Sequence, residues 1–412
     1  MIKVLINKGW ICLGMASILL PAMPARSIPL FARKYNVTCF TCHVSPPFLN
    51  DFGRRFQANG YNLPGSGSDQ TAQADQPALP LALLSQPMIA HRKVTDRLVP
   101  SRSLSSTEFS GLELAIFSSA SLGPHFSYFA ETSVLYEKGE TSIDLVSAHL
   151  LYTDVLDNGL GNLNFRLGKM RAFIPFAANA MFSNATPLIY SYNPFNFKYD
   201  SVFSVMNVAE PSLEISAFGL LPQLLDGLRW EIGVSGGTKN NINLDVSHAY
   251  VFSLNQTVYI DNAPIRFGIS YYGGIQNAMH KSDSVRWQNV LRRAGIDVEL
   301  YDPWTKRFNL FGQYVVANDN HVLEQGGIRN MKGGFAGLNI IVLPEKLYAF
   351  GRYDYMKTDE TEEIRRQLDI GIRYHLLPNL IITGAFTSLS EALPQLTDRS
   401  TISYGAGILF GL

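Results

Sequence analysis

Two cysteines and a histidine stand together as Cys39-Phe40-Thr41-Cys42-His43. Thiols three residues apart reach the two vinyl groups of one porphyrin, and an imidazole directly after them meets the iron. The order C-x-x-C-H therefore reads as the attachment site of one covalent haem c. Cys39 and Cys42 would be its thioethers and His43 the proximal iron ligand. A zinc site needs two further ligands, and the only other cysteine is Cys12; a redox dithiol of the thioredoxin kind needs a βαβ setting. The sixth iron ligand is not evident. Met88 and His91 are the first methionine and histidine downstream, and each fits better as a residue of the first long strand. His125, His149, His248, His280, His321 and Met170 rank below them.

A motif of five residues must be positioned by its surroundings. Ser45 is placed to cap a helix that Pro46 and Pro47 open, and Gly60 is placed to end it. Phe48, Phe52 and Phe56 then recur at i, i+4 and i+8, one apolar stripe that could wall a haem. The module, residues 28–63, is too small to hold itself together, so the haem would be its core. Upstream, Lys3 and Lys8 precede an apolar run from Trp10 to Leu20 and a small-residue exit ending near Ala25 and Ser27. This is the order of a secretory signal peptide, residues 1–27, which carries Cys12 away with it. The run is shorter than the about 20 residues needed to span a bilayer. Downstream, Pro64 to Pro77 begins with Gly-Ser-Gly-Ser and continues with Gln, Ala and Asp, so 64–78 reads as a flexible linker.

The remaining residues, 79–412, have a different character. The chain of 412 residues balances 34 basic against 34 acidic side chains, which argues against a nucleic-acid-binding protein. Charged residues are 17%, against the usual ~25%, while aromatics reach 12% and glycines number 33. That fits neither a disordered chain nor an ordinary α/β enzyme. No later stretch of 18 apolar residues occurs, so a membrane-embedded form would be a barrel. Segments of alternating polarity recur, as in Phe126, Tyr128, Ala130, Val134 and Tyr136 on one face of 126–136. Sixteen strands are expected near 79–92, 107–120, 125–136, 143–154, 163–172, 212–220, 228–236, 243–254, 265–275, 287–300, 307–317, 332–343, 346–356, 366–376, 380–389 and 400–410. Connections after even strands are short, such as Gly123-Pro124 and Leu377-Pro378-Asn379. Those after most odd strands are long and polar: 93–106, 173–211, 276–286, 318–331, 357–365 and 390–399. Short turns on one side and long loops on the other mark an outer-membrane barrel. A soluble β-sandwich or propeller would not produce that parity, and no 40-residue repeat is present.

The expected fold is thus all-β: a transmembrane antiparallel β-barrel of about sixteen strands preceded by a small α-helical c-type haem module. The last strand, with Ile402, Tyr404, Ala406, Ile408 and Phe410 on one face, fits a barrel end. The acidic loop Asp359-Glu360-Thr361-Glu362-Glu363 reads as a solvated loop. The aromatic loop Tyr190 to Tyr199 occupies the position that folds inward in general porins, where it could meet the haem module. No Walker loop, G-x-S-x-G, H-E-x-x-H or dinucleotide fingerprint is present.

In Phe31-Ala32-Arg33-Lys34-Tyr35, the C-x-x-C-H pentapeptide, Leu49-Asn50, Phe52-Gly53 and Asn59-Gly60-Tyr61, the segment Pro29 to Tyr61 resembles the haem segment of the outer-membrane monohaem cytochrome–porin fusions of iron-oxidising bacteria. Similar heads occur on porin-like proteins of metal reducers. Beyond Tyr61 the resemblance is one of architecture. It implies a chain in the outer-membrane lipid with its N-terminal module in the barrel lumen or facing the periplasm. It implies one haem c exchanging electrons between an extracellular metal ion, such as Fe(II), and a periplasmic c-type cytochrome. The direction of flow stays open. A solute porin with a structural or gating haem plug is the alternative, and a haem-based sensor or peroxidase-like enzyme, with His91-Arg92 as its distal pair, ranks third.

Overall fold

The computed structural model describes residues 30–35, 37–46, 48–61, 81–96, 99, 103–110, 112–123, 125–137, 140–157, 162–170, 188–191, 212–221, 228–236, 248–261, 263–279, 286–320, 329–359, 362–393 and 397–411. The signal sequence, the linker, His280, His321 and most of the aromatic loop lie outside them.

The N-terminal segment carries α1 (Leu30–Tyr35), α2 (Cys39–Cys42), a small antiparallel pair β1 (His43–Ser45) and β2 (Phe48–Leu49), and α3 (Asp51–Ala58). The wall continues the chain as β3 (Leu81–Ser85), β4 (Met88–Asp96), β5 (Leu104–Ser110), β6 (Leu112–Ser121), β7 (Phe126–Glu137), β8 (Glu140–Asp157) and β9 (Asn162–Met170). After a short helix, α4 (Leu188–Ser191), come β10 (Ser212–Leu221), β11 (Leu228–Ser235), β12 (His248–Ile260), β13 (Ala263–Met279) and β14 (Arg286–Tyr301). The chain ends with β15 (Phe308–Asp319), β16 (Arg329–Leu343), β17 (Leu347–Thr358), β18 (Ile364–Leu377), β19 (Leu380–Leu393) and β20 (Thr397–Gly411).

Every wall segment pairs antiparallel with its neighbours and the sheet closes on itself. β3 and β4 both pair with β20, and β3 and β4 pair in turn with β6 and β5. Each of these couples is one strand, interrupted in the first case at Gln86-Pro87. The wall is therefore a closed antiparallel barrel of sixteen strands, as the sequence pattern implies. Proline has no N–H for the ladder, so the interruption falls where pairing would fail. The Pro87 carbonyl still accepts from Ile408 N–H and keeps the seam joined.

Strand period places alternate residues on opposite faces. In β15, Leu310, Tyr314 and Val316 face outward and exposed, while Asn309, Phe311, Gln313, Val315 and Ala317 face inward and buried. The last strand likewise exposes Ile402, Tyr404 and Ile408. The outside is thus an apolar belt, and the inside is crossed by ion pairs. Arg352 lies 2.8 Å from Asp354 and 2.9 Å from Asp369; Arg266 lies 3.1 Å from Asp297 and 3.2 Å from Glu299. Such a wall satisfies its backbone within itself and shows a mainly apolar belt outward.

Several strands run further than polarity alternation suggests. β13 extends to Met279, β14 starts at Arg286, and β19 and β20 reach Leu393 and Thr397, into stretches expected to be loops. Hydrogen-bonded pairing continues beyond the lipid into water, where both faces are polar and the alternation fades while the ladder does not. Of the acidic loop, Asp359 and Glu362 are exposed, as a solvated loop requires, with Asp359 paired to Lys332 at 3.3 Å on the surface; Glu363 is buried against Arg365 at 2.6 Å.

Candidate haem site at the short-turn end of the lumen

The segment 30–61 is docked against inward-facing wall residues, and its local fold explains how the motif is presented. Cys39 and Cys42 lie on the single turn α2, and neither forms a disulfide. His43 N–H donates to the Cys39 carbonyl, after which the chain turns extended into β1. Burial, and the neighbouring Cys39, push the Cys42 thiol up from its ordinary value. A reactive dithiol has the opposite tendency, a depressed thiol. Two half-exposed thiols on one turn, followed by an imidazole, fit a covalently anchored porphyrin, for which Cys39, Cys42 and His43 would be the holding residues.

The helix behind the motif starts later than its prolines imply. Ser45 belongs to β1, Pro46 to the turn after it, and Phe48 to β2; the cap is Asn50, whose side-chain oxygen accepts from Gly53 N–H at 2.8 Å. The Asn50 amide also donates to the carbonyls of Phe40 (3.3 Å) and Thr41 (3.0 Å), so the same residue caps α3 and ties it to the motif turn. This double use is why the helix begins there. Gly53 sits where an added Cβ would fall 2.1 Å from the Cys42 carbonyl oxygen, so α3 crosses the motif at a distance only glycine permits. At the far end Gly60, with φ +61°, ends the helix as expected. Tyr61 N–H donates to Phe56 O and Gly60 N–H to Gln57 O, the paired bonds of a Schellman stop, with the Tyr61 and Phe56 rings in contact.

The three phenylalanines do not form one wall. Phe52 and Phe56 share α3 and pack with Phe31, Tyr35, Tyr61, Leu151 and Phe218. Phe48, outside the helix, joins a separate buried cluster with Val44, Phe311, Phe335, Phe350 and Met356. Leu188 and Ile189 of α4, just ahead of the aromatic loop, belong to that second cluster. The side chains of the aromatic loop, 190–199, lie outside the described ones. The second cluster joins Val44 and Phe48 of the module to Leu188, Ile189 and inward-facing wall residues.

Polar contacts fix the module at one end. Arg54 pairs with Glu299 at 2.6 Å and donates to Leu49 O (2.7 Å) and Tyr301 Oη (3.3 Å). Tyr259 Oη donates to Asp51 (2.9 Å) and takes a bond from Arg55. Arg229 stands 3.9 Å from Asp51. Tyr259, Tyr301 and Tyr348 lie at the ends of their strands next to the short turns 261–262, 302–307 and 344–346. The motif therefore sits at the short-turn end. There β18 and its turn hold it at three points: Arg373 donates to Pro46 O, the His375 ring packs on Phe40 at 5.1 Å, and Cys39 Sγ lies 3.8 Å from Pro378 O. Phe40 also stacks on Tyr348 at 5.6 Å.

His375 is a residue that motif reading passes over, since nothing near it in sequence suggests chemistry. It is 5% exposed and neither ring nitrogen has a hydrogen-bond partner. A buried polar group left so costs about 1–3 kcal/mol. His91, by contrast, stands on the outer face beside Tyr404 with both nitrogens bonded, to Thr107 (2.9 Å) and Ser105 (3.1 Å). Its place on the outer face takes it away from a haem in the lumen, because strand alternation turns it outward. Met88, on the same strand, has its sulfur bonded by Gln86.

No protein-family profile matches the chain, and no curated protein is similar to it in sequence. Its fold is similar to solved outer-membrane channels. The anion-selective porin from Comamonas acidovorans aligns with TM-score 0.51 and 12% identity, covering 81% of this chain and 99% of that one. OmpF of Salmonella typhi, solved with daunomycin, gives 0.51 and 12%, covering 81% and 97%. OprB of Pseudomonas putida gives 0.54 and 8%, covering 81% and 94%. At these identities the likeness is one of fold: this chain is a porin-like barrel. Nearly the whole of each porin is matched.

Proposed function

We propose that the chain resides in the outer membrane and carries one covalent haem c at the short-turn, periplasmic end of its barrel, passing electrons between an extracellular metal ion and a periplasmic c-type cytochrome. The observation that carries this reading is the docking of the C-x-x-C-H segment inside the barrel through Arg54–Glu299, Arg373–Pro46 and Tyr259–Asp51. A haem anchored at Cys39 and Cys42 would lie within the wall, screened from bulk water and reachable from the short-turn side. Bound there, the haem supplies a one-electron couple; the chain's residues hold it, orient it through His43 and keep the surroundings apolar through Phe48 and Val44.

The likeness to porins favours a second reading, a solute channel with a haem plug. The docked module argues for the first. A solute path needs an open, water-filled lumen. The wall is polar where pairs such as Arg352–Asp354 line it, but Phe311, Phe335, Phe350, Leu188 and Ile189 gather with Val44 and Phe48 of the module into one apolar cluster inside it.

The test is the purified holoprotein mixed rapidly with Fe(II) while the haem absorbance is followed, then mixed with an oxidised periplasmic-type cytochrome c. Reduction by Fe(II) and reoxidation by the cytochrome, both lost in a Cys39→Ala variant that still folds as a barrel, are the expected results. No haem after expression with a c-type maturation system would overturn the reading. Haem that exchanges no electrons, together with rapid sugar uptake by proteoliposomes, would favour the solute channel.

A further inference from the structure

The chain has eight histidines, and their surroundings separate one of them from the rest. His43 belongs to the motif. His91 faces outward with both nitrogens bonded. His125 bonds the Thr153 carbonyl at 3.0 Å, and His149 bonds Ser147 at 3.1 Å while stacking on Phe129. His248 lies against Tyr250, at the start of β12 and away from the short turns. His280 and His321 are outside the described residues. His375 is buried, both its nitrogens lack a partner, and it touches the motif turn itself through Phe40.

Its place on the wall is beside the motif: its ring packs on Phe40, next to Cys39, at 5.1 Å, and three residues on, in the turn after the strand, the Pro378 carbonyl oxygen lies 3.8 Å from Cys39 Sγ. The buried methionines of the apolar cluster are worse placed. Met356 is on the same strand as Tyr348, the residue that stacks on Phe40, but eight positions on, roughly 26 Å at about 3.3 Å per residue. Arg373, two residues before His375 on the same inward face, clamps Pro46 on the other side of the motif. The strand that grips the motif is thus the one that presents an unsatisfied imidazole beside it.

We propose that His375 supplies the sixth ligand to the iron of a haem anchored at Cys39 and Cys42, with His43 as the fifth. This rests on the haem reading above and goes beyond it: the wall of the barrel, rather than the module, completes the coordination. An imidazole ligand satisfies one of the two unpartnered nitrogens. It also makes haem coordination and module docking one event, since the two ligands come from different parts of the fold.

The experiment uses the full-length holoprotein, purified in detergent after expression with a c-type maturation system. Haem content is measured by the pyridine haemochrome spectrum, and iron ligation by electron paramagnetic resonance and near-infrared magnetic circular dichroism. The expected wild-type spectrum is low-spin with the charge-transfer band of two imidazoles. His375→Ala, at unchanged haem content, should become high-spin, bind CO readily when reduced, and return to low-spin on addition of imidazole. His375→Met should stay low-spin, show the methionine charge-transfer band and rise in potential. His149→Ala should change none of these. A wild-type spectrum that is high-spin or methionine-ligated overturns the proposal without any variant, as does a low-spin His375→Ala. Wild-type protein without haem overturns the haem reading itself, a result distinguishable from the others at the first measurement.

Discussion

Arg54→Ala tests whether the module is held in the lumen by charge. Arg54 reaches the wall at Glu299, whose side chain is 0% exposed, and at Tyr301. Burial pushes the guanidinium down, but Glu299 and Tyr301 hold it above its ordinary value. A raised value means the contribution is complete below the unfolded one, so the pair should not weaken by arginine deprotonation over the accessible alkaline range. Breaking a buried pair typically costs 3–5 kcal/mol when the remaining charge is stranded, by order of magnitude. Glu299 would not be stranded, because Arg266 (3.2 Å), Tyr301 Oη (2.8 Å) and Asn309 (3.1 Å) remain. The cost should therefore fall lower, at about 2–3 kcal/mol. At 1.4 kcal/mol per factor of ten this shifts the docked-to-undocked ratio roughly 30- to 150-fold towards undocking.

Two readouts track the shift. Protease cleavage within residues 30–61 should accelerate in the variant while the barrel stays intact on heat-modifiability gels. Single-channel recordings in planar bilayers should show open events that are rare in the wild type. Arg54→Lys should lie between, because it keeps the charge and loses the planar fork that reaches Glu299 and Leu49 together. Protection and conductance equal to wild type in a folded Arg54→Ala protein would refute the reasoning.

Three further outcomes rest on single contacts. Asn50→Ala removes the cap of α3 and both bonds to the motif turn, so the module should lose about 1–3 kcal/mol, read as a lower denaturant midpoint for the haem absorbance with the barrel transition unmoved. Gly53→Ala would place a methyl against the Cys42 carbonyl, and overpacking of this kind costs about 1–3 kcal/mol; covalent haem per protein should drop, and full incorporation would count against the close crossing. Ile296→Arg, on the outer face where the residue is 61% exposed, should destabilise the folded barrel by about 2–4 kcal/mol in lipid, read as a lower urea midpoint in vesicles, and an unchanged midpoint would refute its contact with lipid.

The sequence by itself determined the barrel and the motif, for reasons that are local. Alternation of side chains is a property of each strand, so residues such as Leu310, Tyr314 and Val316 announce an outward face without reference to any neighbour. Short turns and long loops are likewise read along the chain, and their parity counts sixteen strands. Gly60 signals the helix stop through its own backbone freedom, and C-x-x-C-H carries its spacing within five residues. Helix beginnings were less legible, because Asn50 is fixed as the cap by bonds to Phe40 and Thr41 as well as to Gly53. Only the tertiary structure decided what meets the motif. Arg54 finds Glu299, Phe48 finds Phe311, and Phe40 finds His375, each across more than 200 positions of sequence. Closure of the barrel makes those meetings, since it bends eighteen wall segments around a common interior where residues far apart in sequence face one another. No pattern along a single strand records which inward residue will be left unpaired, and that is why His375 is visible in the fold and silent in the sequence.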